Sequence, residues 1–138
     1  MLYDQHGRLH NYLRSSLTER CNLRCFYCMP DEDAATTPAA TWMTAAEVVQ
    51  IANIFVELGV TKIRLTGGEP LLRKDTPAIL EGLAELPVRL NITTNGILIH
   101  RHLEVLRAAQ VRAINVSLDT LDADKFAIVT KRDQFQRV

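Results

Sequence analysis

Two rhythms of apolar and polar residues take turns along this chain. Short β-rich runs stand at 11–18, 60–66, 88–94 and 112–118, and helical patterns separate the later ones. Thr44 precedes Glu47 by three residues, the spacing of a capping box. Behind it Val48, Ile51, Ala52, Phe55 and Leu58 recur at helical intervals until Gly59, which predicts one amphipathic helix. A second helix is predicted from Thr76, with Pro77 at its first position, burying Ile79, Leu80 and Leu83 before Pro87 stops it. Asn95-Gly96 turns the chain into a third helix over 100–109. The stretch "PDEDAATTPAATWM" shows no period and is expected to wander over the surface. The pattern is βαβαβαβ, an α/β fold whose strands are all parallel and joined by right-handed crossovers.

Composition narrows the function classes. The chain has 138 residues, 47% hydrophobic and 23% charged, as expected of one folded domain. Sixteen basic residues balance sixteen acidic ones. No nucleic acid partner and no anionic membrane surface is therefore expected, while a small anionic substrate held by a few arginines fits. The start "MLYDQHGRLHNYLR" has no apolar signal region, and no membrane span is expected. The expected location is the cytoplasm.

In parallel α/β folds, working residues collect at the C-terminal ends of the strands. Here those segments are "ERCNLRCFYCMPDE", "TGGEP", "TTNG" and "SLDTLD". The first holds all three cysteines, Cys21, Cys25 and Cys28. A disulfide would leave one thiol over and force a very short loop. Zinc would need a fourth ligand, with His10 as a candidate, because no second cysteine pair exists. An iron–sulfur cluster accounts better for three thiols, since one iron then stays open for a ligand.

"CNLRCFYC" resembles the cluster motif of the radical S-adenosylmethionine superfamily, with Tyr27 in the aromatic slot before the third cysteine, and "TGGEP" resembles that superfamily's glycine-rich cofactor loop. The resemblance implies a [4Fe-4S] cluster, S-adenosyl-L-methionine bound at its open iron, a reductant for the cluster, and cleavage of the cofactor to a 5′-deoxyadenosyl radical. It also implies a partial TIM barrel of (β/α) units, about four present here of an expected six. The longer series "LRSSLTERCNLRCFYCMP", "KIRLTGGEPLLRKD", "ITTNG" and "INVSLDTLDADKF" is similar to the N-terminal part of the GTP 3′,8-cyclase family of molybdenum cofactor biosynthesis. That likeness implies GTP as substrate, abstraction of its ribose 3′ hydrogen, and attack of the sugar radical on guanine C8. By position, Cys21, Cys25 and Cys28 would bind the cluster. Tyr27, Gly68 and Ser117 would contact S-adenosylmethionine, and Arg14, Arg64 and Thr93 would contact GTP.

The residues also carry readings of their own. Gly67 and Gly68 either permit a tight βα turn or let a ligand approach bare backbone, and Glu69 behind them suits a ligand ammonium. Arg14 and Arg64 near two strand ends suit a triphosphate, against surface exposure as the plain alternative. Thr93, Thr94 and Asn95 serve equally well as a cap or an Asx turn. Ser117 and Asp119 straddle the end of the fourth strand, where Asp119 is a helix cap or a ligand contact. His6, His10, His100 and His102 sit in polar surroundings and receive no role.

Members of the resembled family are longer, with a second cluster toward the C-terminus and a homodimer as the expected assembly. Residues 1–138 would thus be the N-terminal part of a radical S-adenosylmethionine core domain, with "DQFQRV" opening another helix. The fourth run, "AINVSL", would leave an unpaired apolar edge, so this polypeptide alone is expected to be marginally stable or self-associating and inactive on GTP. A peptide-modifying maturase of the same superfamily, and a non-catalytic cluster- or metal-binding module, remain as alternatives.

Overall fold

The computed structural model describes residues 1–29 and 37–138, so the opening of the alanine-rich connection lies outside the described residues. In chain order come β1 (Tyr12–Ser16), α1 (Ala45–Glu57), β2 (Lys62–Thr66), α2 (Thr76–Ala84), β3 (Arg89–Thr94), α3 (Ile99–Ala108), β4 (Ala113–Val116) and α4 (Ala123–Thr130). The four strands form one sheet in the order β1-β2-β3-β4, every pair parallel. Each crossover steps the same way, and α1 packs on α2 and α2 on α3. That arrangement is the wall of a barrel, unlike a doubly wound sheet, whose strand order reverses.

The period of two sorts the sheet's faces. Ile63, Leu65, Leu90 and Ile92 are at most 2% exposed and join Val48, Ala52, Ile79, Leu80 and Leu83 in a single core beneath the helices. On the alternate positions stand Arg14, Lys62, Arg64, Thr66 and Thr93, none of them buried. One face of the wall is thus apolar and the other polar.

Thr44 caps α1 through the expected capping box, its Oγ1 accepting from the Glu47 N–H while Glu47 accepts from the Thr44 N–H. The apolar stripe is narrower than its spacing implies: Ile51 is 41% and Leu58 40% exposed. An outer-wall helix touches the sheet along only one line. By length and composition the stretch Ala39–Glu57 could cross a membrane. Thr44 starts a new helix inside it, and the 13 residues of α1 reach about 20 Å, short of a roughly 30 Å hydrocarbon layer. α2 starts at Thr76 as expected, with Asp75 as its N-cap, so Pro77 stands at the second helical position and not the first, still within the first turn where its missing N–H costs nothing.

The chain after β4 differs from expectation. Asp122 caps α4, its Oδ1 accepting from the Asp124 and Lys125 N–H groups at 3.0 Å each. With buried residues only at Phe126 and Thr130, so short a helix leaves no clear periodic stripe in the sequence. "DQFQRV" forms a single 3₁₀ turn, Phe135–Arg137, whose Phe135 ring packs edge-on against Phe126. The β4 edge is open as expected, with Ile114 39% and Val116 46% exposed.

Leu80 has 0% exposure, so Leu80→Ala is expected to lower unfolding free energy by about 2–5 kcal/mol in a urea titration. Leu121, 84% exposed, should give a change within about 0.5 kcal/mol when replaced by alanine. Equal losses at the two positions would contradict this core.

Candidate cluster and cofactor site

The cysteine loop leaves the C-terminal end of β1 and is pinned from several sides. Leu17, Thr18 and Leu23 are buried. The Arg24 and Phe26 N–H groups donate to the Thr130 and Val129 carbonyls, at 2.9 and 3.1 Å, which uses carbonyls that the end of α4 leaves free. Arg24 turns its guanidinium back into the loop, where Nη1 donates to the carbonyls of Cys21 and Leu23. Cys25 accepts from the N–H groups of Cys28 and Met29 through its carbonyl, which makes the turn that presents Tyr27.

The glycine loop after β2 lies directly against this backbone. Gly68 N–H donates to the Thr18 carbonyl at 2.6 Å and Glu69 N–H to the Arg20 carbonyl at 2.8 Å. A Cβ on Gly67 would stand 2.5 Å from the Thr18 oxygen, and one on Gly68 2.4 Å from the Arg20 oxygen. These glycines are needed for loop-to-loop contact, a reason visible only in the fold.

Glu69 is placed otherwise than its sequence context implies. It is fully buried and lies off the cavity wall. Its carboxylate accepts from the Leu71 N–H at 3.0 Å, the Thr94 hydroxyl at 2.8 Å and the Asn95 N–H at 2.7 Å. The acid that was expected to face a ligand ammonium instead bolts the β2 loop to the β3 loop. Asn95 makes the Asx turn open to it from sequence, its Oδ1 accepting from the Ile97 N–H.

A cavity of about 320 Å³ opens between these loops, and Arg14, Cys21, Cys25, Tyr27, Cys28, Gly67, Gly68, Thr93 and Ser117 all line it. Arg64 lies just outside, behind Thr93, to whose hydroxyl its Nη1 donates at 3.2 Å. Its Nε is buried and has no partner among the described residues. Arg14 and Arg64 are register partners on neighbouring strands, which sets their Cα atoms at one height and their side chains on one face. A larger cavity of about 600 Å³ lies beside Trp42, under Arg20 and Arg73, and holds none of these residues.

Tyr27 donates its hydroxyl to Asp119 Oδ2 at 2.7 Å, linking the cysteine loop to the segment after β4. That bond, then burial, pushes the Tyr27 pKa well up, so the phenol keeps its proton. Asp119 is therefore a partner of Tyr27, and Asp122 holds the capping role. Burial is also the main cause that raises the Cys21 and Cys25 thiols.

The donor set fits a cluster better than a single ion. All three cysteines are free, and all three face one cavity. Among the described residues, no three His, Cys, Asp or Glu side chains converge closely enough to share one metal ion. Zinc gathers its ligands about one centre, whereas a cluster gives each thiolate its own iron. His10, the candidate fourth zinc ligand, sits beside Asp4 at 3.7 Å, outside the cavity. Iron would also supply the positive charge that holds these thiols, two of them half-buried, as thiolates.

This fold and thiol array belong to a family that residues 15–138 match, the radical SAM superfamily, and the chain is a member of it. Over all of its length the chain is 50% identical to GTP 3′,8-cyclase, mitochondrial, of Arabidopsis thaliana, of which it covers 36%. It is 48% identical to molybdenum cofactor biosynthesis protein 1 of Dictyostelium discoideum, covering 22% of that protein. The chain thus spans well under half the length of these relatives. Among solved structures, SuiB of Streptococcus suis bound to precursor peptide SuiA superposes on 92% of the chain with a TM-score of 0.77 at 24% identity, over 28% of its own length. That likeness concerns the fold, and it agrees with a partial TIM barrel.

Gly68→Ala should force the two loops apart and lower both the thermal midpoint and the iron and sulfide retained per chain after anaerobic reconstitution. Unchanged iron content would mean that the cysteine loop does not depend on the close approach.

Proposed function

We propose that this chain forms the cluster- and S-adenosylmethionine-binding wall of a GTP 3′,8-cyclase acting in molybdenum cofactor biosynthesis. The observation that carries the substrate half is Arg64: a guanidinium Nε buried without a partner among the described residues, on the register partner of Arg14, beside the cavity that the three thiols line. A buried donor with no acceptor is uncommon, and a phosphate oxygen would satisfy it. The names of the two curated relatives point the same way. A peptide-modifying maturase would leave the aligned arginines without a role.

Cys21, Cys25 and Cys28 would hold a [4Fe-4S] cluster with one iron free of protein ligands. When bound and reduced, cluster and S-adenosyl-L-methionine together supply a 5′-deoxyadenosyl radical. Everything else falls to the chain. Gly67 and Gly68 leave the cavity wall bare on one side, Ser117 and Tyr27 bound it on another, and Asp119 holds the Tyr27 ring in place. Thr93 and Arg14 would receive the nucleotide. Ile114 and Val116 of β4 stand exposed next to Ser117 and Asp119, which line the cavity, and a radical reaction must exclude water. This chain alone is therefore expected to bind cofactor without turning GTP over. A one-electron reductant, the homodimer of longer members, and the cytoplasm or another thiol-reducing compartment belong to the same reading.

GTP binding to the reconstituted chain tests the substrate assignment. Loss of a charge-assisted contact of about 1.5–3 kcal/mol predicts that Arg64→Met and Arg14→Met each weaken GTP binding by roughly tenfold or more, with iron content unchanged. Equal GTP affinity in wild type and both variants would overturn it.

A further inference from the structure

We propose that Asn95 is a positioning residue for the iron–sulfur centre, holding a side-chain N–H against Cys21 and so raising the centre's reduction potential; this rests on the cluster reading above. Asn95 is only 7% exposed, and each of its polar side-chain atoms has an assigned partner. Nδ2 donates to Asn22 Oδ1 at 2.7 Å and to Cys21 Sγ at 3.8 Å. Oδ1 accepts from the Ile97 N–H at 3.1 Å. The reverse amide orientation would set an NH₂ against that N–H, so the network itself fixes the donor on the sulfur side. The backbone of Asn95 is anchored too, since its N–H donates to Glu69 Oε2 at 2.7 Å.

The result is a relay through three loops. Glu69 from the β2 loop holds Asn95 in the β3 loop, and Asn95 holds Asn22 and Cys21 in the cysteine loop. Cys21 receives a second donor from the Leu23 N–H at 3.4 Å. Hydrogen bonds to a cluster's sulfur ligands are among the levers that set its potential. Reduction adds an electron to the cluster and makes its sulfurs more negative. Donors aimed at Cys21 therefore stabilise the reduced form more than the oxidised one. A centre that must be reduced before it can act is made easier to reduce.

The test compares anaerobically reconstituted wild type with Asn95→Ala and Asn95→Asp in a redox titration followed by electron paramagnetic resonance, with iron and sulfide counted in each. Asn95→Asp keeps an oxygen for the Ile97 N–H but offers no donor to sulfur, so it preserves the turn should Asn95→Ala fail to fold. Asn95→Ala adds no charge and so isolates the lost hydrogen bond. Both variants are expected to carry a cluster with a more negative midpoint, on the order of a tenfold lower reduced-to-oxidised ratio at a fixed potential, or about 59 mV for one electron. A lowered melting temperature with an unmoved midpoint would overturn the proposal and leave Asn95 with only a structural part. A wild-type chain that takes up no iron would overturn the cluster reading itself, and this inference with it.

Discussion

The geometry of the site depends on one buried carboxylate. Glu69 has no exposure and three donors, and two of those donors, the Thr94 hydroxyl and the Asn95 N–H, belong to the next loop of the wall. Burying a carboxylate is costly unless it is well hydrogen-bonded, so its full set of partners is what makes the position tolerable. Shortening it would strand those donors, and each stranded donor costs about 1–3 kcal/mol. The two glycines ahead of Glu69 let it reach that position, because their backbone slides against the Thr18 and Arg20 carbonyls at distances that no side chain allows. Cysteine loop, glycine loop and asparagine loop are therefore one unit.

A second bracket works from the other side. Arg73 is 6% exposed, donates from Nη1 to the Leu17 carbonyl and from Nη2 to the Met43 carbonyl, and pairs with Asp75 at 2.6 Å. It ties the start of the cysteine loop to the entrance of α1 and to the cap of α2. Its guanidinium lies 5.6 Å from the Trp42 ring centre, and that of Arg20 lies 4.9 Å from it, so this cluster of cations and indole belongs to the scaffold. The polar sheet face differs: Arg14 and Arg64 stand in register, and Arg64 reaches past its own β3 partner Asn91 to donate to the Thr93 hydroxyl.

Much of this was legible in the amino-acid order. Strand positions, the parallel sheet, the α1 capping box and the gathering of four polar segments at one end follow from period and punctuation. The three thiols were legible because no local structural need explains them. The side-chain direction of Glu69 was not. An acid after two glycines is equally able to face a ligand or a neighbouring loop, and the choice rests on Thr94 and Asn95, some 25 residues away. Likewise the Tyr27–Asp119 bond spans 92 positions, and α4 is too short to leave a clear stripe. What escaped notice was set by long-range pairing, while what was read correctly was set by local pattern.

Mössbauer spectroscopy of the chain reconstituted with ⁵⁷Fe, recorded with and without S-adenosylmethionine, addresses the three-thiol site most directly. One iron without a protein ligand predicts that about a quarter of the signal moves when the cofactor is added while the rest stays. A spectrum that shows four-iron clusters but does not respond to the cofactor, or a single-ion spectrum, would contradict the assignment of Cys21, Cys25 and Cys28 to a cluster with an open iron.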